Sequence, residues 1–316
     1  MNFLILGAGG IGSFYGARLI LSGHNVTFVA RGEHLRTLQQ HGLKLQHPNF
    51  SFDNHINAST LENVKQDRLI SIDAVILTTK STSTTFIAKE LSLLLNTNKR
   101  CPFIISLQNG VENEEILCNY FPKDKIIGGL TRKIGAHIIK PGVIEVTGNV
   151  ETIVGALEIT EENTLFLDEF SKIVNTSGII CDISLDIKLE LWKKLIINNG
   201  VNALCALLEE KTGIIMHHNK LSKLVYGLMI ETASAAKYSG INISKKEIDA
   251  MYKLILEFDS IKPSMLVDKE FTRPLEIDQI CGIVIKNNDF QNIDSPYTRT
   301  ISTLLEYTYV ENKNKI

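Results

Sequence analysis

The first twelve residues constrain this chain more than any other stretch. Asn2 to Leu6 (NFLIL) is an uninterrupted apolar run with the length of a buried strand, and Gly7-Ala8-Gly9-Gly10-Ile11-Gly12 follows directly. From Ile11 the apolar residues Ile11, Phe14, Ala17 and Leu21 recur at helical spacing. Strand, glycine turn and helix in that order form the first half of a βαβ unit that binds dinucleotides. Gly7 permits the tight turn, Gly9 leaves no Cβ between the backbone and a pyrophosphate, and Gly12 lets the helix pack close to the strand. The helix N-terminus offers N–H groups and a partial positive charge to the phosphates. A GxGxxG string alone says little. Its position here, with a second strand on schedule at Asn25 to Ala30, carries the reading, and the expected phosphate-loop set is Gly7, Ala8, Gly9, Gly10, Ile11 and Gly12.

The alternation continues through the first half. Ala74 to Thr79, Phe103 to Leu107 and Lys125 to Gly129 read as strands, with helix-like stretches at Glu33 to His41, Thr82 to Leu95 and Glu112 to Tyr120. Val143 to Gly155 reads as two short strands around Gly148-Asn149, and Gly128-Gly129 as either a strand end or part of a cofactor crevice. Strands and helices of these lengths imply parallel βαβ units with both sheet faces covered. From about Lys188 the periodicity is helical: Lys188 to Leu208, Leu221 to Ser239, Lys245 to Glu257, Leu275 to Asn287 and Pro296 to Val310. The polar tail 311–316 is expected to fray. The fold class is thus an α/β Rossmann-type N-terminal domain, residues 1–185, followed by an all-α domain, residues 186–316.

Several function classes drop out. With a formal net charge of −2, the chain has no basic excess for a nucleic-acid backbone or an anionic membrane. No apolar stretch is long enough to span a bilayer, and no secretory leader is recognisable at the start. The five cysteines, Cys101, Cys118, Cys181, Cys205 and Cys281, are odd in number and never at CxxC spacing. That argues against a disulfide framework or zinc site and for a reducing cytoplasm. His217-His218 point about 100° apart if helical, a poor metal pair, so no metal site is expected.

The end of the second strand bears on the cofactor. A site for NAD places a carboxylate there, to hold the ribose 2′-OH. This chain has Ala30-Arg31-Gly32 and then Arg36. A guanidinium cannot accept that hydrogen bond but can clamp a 2′-phosphate with its planar fork, which favours NADP(H). Farther on, Lys194, Asn198 and Asn202 are four residues apart, forming one stripe of a helix after Trp192. Two readings of that stripe stay open on spacing alone. It is a solvated face, or it is a site for a small anion whose ammonium both binds an oxyanion and donates a proton.

The ordered set of the glycine loop, Arg31, Thr79-Lys80, Gln108-Asn109-Gly110, Trp192-Lys193-Lys194-Leu195 with Asn198 and Asn202, Ser264-Met265 and Glu276-Ile277-Asp278 closely resembles the ketopantoate reductases across nearly the whole chain. The resemblance implies NADPH-dependent reduction of 2-dehydropantoate to pantoate, in pantothenate and coenzyme A biosynthesis. It implies Lys194 as the general acid, with Asn198, Asn202, Asn109 and Ser264 as substrate-binding residues. It also implies Lys80 and Asn109 as cofactor contacts, and Glu276 as a catalytic acid beside cofactor and substrate. The chain departs from the family pattern at Pro263, Leu275 and Cys281, and Ser83 stands where a larger polar group is frequent. A different 2-oxo acid substrate, or a non-catalytic NADPH-sensing protein, are the rival expectations, and a homodimer would be expected to pair through the helical domain.

Overall fold

The computed structural model describes residues 1–64, 69, 71–95, 101–257 and 261–311. Residues 312–316, most of the tail expected to fray, lie outside the described ones. The chain divides into two compact units: Met1–Gln108 with Glu112–Ile187, and Asn109–Val111 with Lys188–Ile316.

The first unit is built on a predominantly parallel sheet. Strand β1 (Asn2–Leu6) pairs in parallel with β2 (Asn25–Val29) on one side and β6 (Ala74–Leu77) on the other, placing Leu6 opposite both Val29 and Leu77. Beyond β2 lies β5 (Asn57–Ser59); beyond β6 come β7 (Phe103–Ser106) and β8 (Ile126–Arg132), all parallel. The apolar runs follow from burial on both faces. Phe3 and Ile5 enter one core with Phe14, Tyr15 and Phe170, whereas Leu4 and Leu6 enter another with Leu91, Ile104 and Leu117. Helices α1 (Gly10–Leu21), α2 (Gly32–His41), α3 (Thr84–Leu95) and α4 (Asn113–Cys118) connect the strands as expected, to within two residues at each end.

The far edge departs from a purely parallel scheme. Both strands read around Gly148-Asn149 exist, as β10 (Val143–Thr147) and β11 (Glu151–Ala156), but they belong to different sheets. Strand β11 runs antiparallel to β8 and parallel to β12 (Ile180–Ile183). Strand β10 joins β3 (Leu43–His47), β4 (Phe50–Asn54) and β9 (Gly135–Lys140) in a four-stranded sheet, ordered β4-β3-β10-β9. That sheet has one dry face. Leu43, Leu45, Phe52, Ile144 and Val146 are buried in the same core as Phe14, while Lys44, Gln46, Asp53 and Glu145 are exposed. Gly128 and Gly129 do not end a strand. They are buried inside β8, where a Cβ would lie 3.0 Å from Ile187 Cγ1 and 2.8 Å from Leu107 Cδ2 respectively, so close packing requires them. Helix α5 (Glu161–Thr176) starts at a reciprocal cap: Asn163 N–H donates to Thr160 Oγ1, and Thr160 N–H donates to Asn163 Oδ1.

The second unit is helical. Helix α6 (Ile187–Leu208) buries Trp192, Leu195, Ile196 and Val201 in a core shared with α8 (Leu221–Ala236), α9 (Lys245–Glu257) and α10 (Ser264–Glu270). The short α7 (Thr212–His217) intervenes, and α11 (Ile283–Phe290) and α12 (Pro296–Leu305) follow. The helix expected from Leu275 opens instead with a π-helical turn, Asp278–Gly282. A buried polar network fixes the packing. Asn199 Nδ2 donates to Thr232 Oγ1 (2.9 Å) and Thr298 Oγ1 (3.1 Å). The Glu231 carboxylate accepts the N–H groups of Tyr297 (2.9 Å) and Thr298 (2.8 Å) at the start of α12, a favourable end for an anion. No helix among the described residues is long and apolar enough to cross a membrane.

Candidate functional site

In the first unit the glycine turn has the geometry a pyrophosphate requires. Gly7 takes φ +103°, and a Cβ there would lie 2.8 Å from Thr79 Cγ2. At Gly12 a Cβ would meet Gly7 O at 2.2 Å, and at Gly10 it would meet Ala136 O at 2.1 Å. At Gly9 it would meet nothing within 4 Å. Three of these glycines are therefore packing requirements, and the fourth faces open space, where a ligand backbone can approach. The loop's carbonyls are tied down: Thr78 Oγ1 donates to Gly7 O (2.7 Å) and Ser13 Oγ to Ala8 O (3.0 Å). Gly7 and Ala8 N–H both donate to Val29 O. The first helical bond runs from Ser13 N–H to Gly9 O (2.9 Å), so the N–H groups of residues 10–12 lie outside the helical ladder. This donor set fits a dinucleotide phosphate.

His34 also touches the turn. Gly142 N–H donates to its Nδ1 (3.1 Å), so Nε2 carries the ring proton and donates to Ala8 O (2.8 Å). Loss of water around the ring holds its pKa below the ordinary imidazole value. Sequence reasoning missed His34, Thr78 and Ser13, because nothing local marks them.

The remaining expected cofactor residues sit at strand ends. Arg31 follows β2 as the extended residue that starts α2, and is exposed, as is Arg36. Lys80 follows β6 and is exposed; its carbonyl accepts from Ser83 Oγ (2.8 Å). Buried Gln108 donates to Thr79 O (3.0 Å) and Thr84 Oγ1 (3.0 Å), tying the ends of β6 and β7 together.

In the second unit Lys194, Asn198 and Asn202 form one stripe of α6, with burial deepening along it. Lys194 and Asn198 are partly buried and Asn202 is 3% exposed. The Asn202 Nδ2 is buried with no hydrogen-bond partner among the described residues. A fully solvated face is therefore not what α6 presents there, and a buried donor left this way suits a ligand oxygen. The neighbouring Lys193 is engaged differently, with Glu190 and Glu247 each 3.3 Å away. Asn109 Nδ2 donates to Glu276 Oε2 (3.3 Å), joining two expected site residues 167 positions apart. Glu276 is 4% exposed, so its carboxylate is buried. Ser264 is the exposed first residue of α10. Cys281 is buried in the π-helical turn, and burial pushes its thiol up to about 12. His217 and His218 are exposed, and among the described residues no group of three or more His, Cys, Asp or Glu could hold a metal ion.

Comparison with known proteins supplies the wider context. Residues 3–158 match the family described as ketopantoate reductase PanE/ApbA, and residues 186–307 match its C-terminal domain. A 2-dehydropantoate 2-reductase of Pyrococcus abyssi is 28% identical over 94% of both chains. The crystal structure of 2-dehydropantoate 2-reductase from Geobacter metallireducens GS-15 is 28% identical, with a TM-score of 0.86 over 98% of this chain and 100% of that one. A D-mandelate dehydrogenase solved with NADH and anilino(oxo)acetate shares the fold, with a TM-score of 0.90, 23% identity, and coverage of 98% of this chain and 99% of that one. This chain belongs to the ketopantoate reductase family of oxidoreductases.

Proposed function

We propose that this protein reduces 2-dehydropantoate to pantoate with NADPH. The observation that carries the reading is the α6 stripe: a partly buried lysine, then two asparagines, the last with a buried amide donor that has no partner among the described residues. The bound nicotinamide would supply the hydride to the keto carbon. Negative charge then builds on the keto oxygen, and Lys194 Nζ neutralises it by donating a proton, so that C=O becomes CH–OH. Asn198, Asn202 and Ser264 would hold the carboxylate and hydroxyl of the substrate, fixing the carbonyl before charge develops. Asn109 and Glu276 form one hydrogen-bonded pair. In this reading Glu276 accepts from the substrate hydroxyl, while the Asn109 amide holds its second oxygen. Gly7 to Gly12 would cradle the pyrophosphate, with Arg31 on the 2′-phosphate and Lys80 beside the cofactor.

The test is NADPH oxidation at 340 nm with 2-dehydropantoate, pyruvate and 2-oxoisovalerate. The expected result is a strong preference for 2-dehydropantoate. In Lys194→Ala, kcat should fall by at least ~100-fold, the lower bound for loss of a positioned proton donor. Oxidation with another 2-oxo acid alone would reassign the substrate, NADPH binding without turnover would make the protein a sensor, and near-normal turnover by the variant would remove Lys194 from the chemistry.

A further inference from the structure

We infer that His34 is a positioning residue for the cofactor loop, clamping the Ala8–Gly9 peptide and bracing it against the small four-stranded sheet. The inference rests on the reading that the glycine turn binds NADPH. In a trans peptide the C=O of Ala8 and the N–H of Gly9 point in opposite directions. Two donors, Ser13 Oγ at 3.0 Å and His34 Nε2 at 2.8 Å, hold that carbonyl on one side. The Gly9 N–H is thereby held on the other side, in the polarity an anion needs. Were this peptide to rotate, a carbonyl would replace an N–H in the phosphate site.

The other ring nitrogen reaches the β9–β10 turn, where Gly142 takes φ +74° and donates to Nδ1 at 3.1 Å. That hairpin touches the loop a second time, since Gly10 lies so close to Ala136 O that no Cβ fits between them. The small sheet is thus a buttress for the phosphate loop, and His34 is its polar link. Both contacts need a neutral ring with its proton on Nε2, because a proton on Nδ1 would face the Gly142 N–H.

Two substitutions separate the contacts. His34→Gln places an amide nitrogen near the position of Nε2 and keeps a donor for Ala8 O. His34→Asn reaches only as far as Nδ1 and loses that donor. The assay is fluorescence titration with NADPH, together with KM and kcat for NADPH and a thermal melt of each protein. His34→Asn and His34→Leu should weaken NADPH binding and raise its KM by roughly three- to tenfold, with kcat at saturation within about twofold of the unmodified protein. His34→Gln should restore most of the affinity. Unchanged affinity in both His34→Asn and His34→Leu would overturn the inference. So would affinity losses that track the melting temperature equally in all three variants, since a merely structural histidine would behave so. If the unmodified protein binds neither NADPH nor NADH, the cofactor reading fails first and takes this inference with it.

Discussion

Alanine at Gly9 and at Gly12 should separate ligand approach from packing within a single loop. Gly9 has φ −73° and ψ −165°, accessible to any residue, and its Cβ would meet nothing within 4 Å. Alanine there reduces unfolded-state freedom, worth ~0.4–1 kcal/mol in favour of folding. It is also a poorer helix N-cap than glycine by a similar amount, ~0.5–1 kcal/mol. The two nearly cancel, so Gly9→Ala should melt within about 3 °C of the unmodified protein. On the proposed reading, in which the pyrophosphate approaches over Gly9, its NADPH affinity should nevertheless fall at least about tenfold, or ~1.4 kcal/mol. Gly12→Ala is the opposite case. Its Cβ would sit 2.2 Å from Gly7 O and 2.4 Å from Thr78 Oγ1, well inside the roughly 3.5 Å at which such atoms rest. The nearest obstacle is backbone, so α1 must shift, at ~1–3 kcal/mol or more. That variant should melt several degrees lower and also bind poorly. Differential scanning fluorimetry and NADPH titration measure both quantities. A Gly9→Ala protein that binds NADPH normally would refute the idea that a phosphate passes over Gly9. One that melts as low as Gly12→Ala would refute the packing argument.

Two further predictions concern charge. Arg31→Ala should lower the ratio of kcat/KM for NADPH over NADH at least about tenfold, as expected for loss of a hydrogen bond to a charged group, while leaving the NADH values in place; an unchanged ratio would remove Arg31 from cofactor choice. The thiols of Cys181, Cys205 and Cys281 are each pushed up to about 12 by burial, so in the folded protein at pH 8 they should react with Ellman's reagent no faster than the protein opens. An acid whose folded pKa is raised stabilises fully below its unfolded value, and that stability is lost as pH rises. Urea midpoints should therefore fall between roughly pH 8.5 and 12, and rapid labelling of any of the three at pH 8 would contradict their burial.

What could be read from the sequence was what local spacing encodes. The strand Asn2–Leu6 and the helix Lys245–Glu257 have the boundaries their periodicity implies. The α6 stripe was readable because helical geometry alone aligns residues four apart. Leu43–His47 and Phe50–Asn54 escaped notice, although Leu43 and Leu45, then Phe50 and Phe52, alternate inward. Each run is only five residues long, and the turn between them is not a glycine turn of the common kind. Val143–Thr147 pairs with its sequence neighbour Gly135–Lys140 on one side, but its other partner, Leu43–His47, is about a hundred residues away. The same limit applies to the site. His34 contacts Ala8 and Gly142, at 26 and 108 residues' distance, and no local pattern announces either bond. Asn199 and Asn198 are identical in type and adjacent, yet one binds Thr232 and Thr298 in the core while the other belongs to the stripe that runs from partial to full burial.

The three residues Asn109–Val111 group with the helices although the chain on both sides of them belongs to the sheet. Cutting the chain once, near residue 187, would therefore not yield two whole bodies. The piece beginning at 188 would lack the amide that donates to Glu276, and it would expose the side of its core that Val111 covers. Produced alone, the piece beginning at 188 should thus leave Glu276 without the Asn109 amide even where it folds.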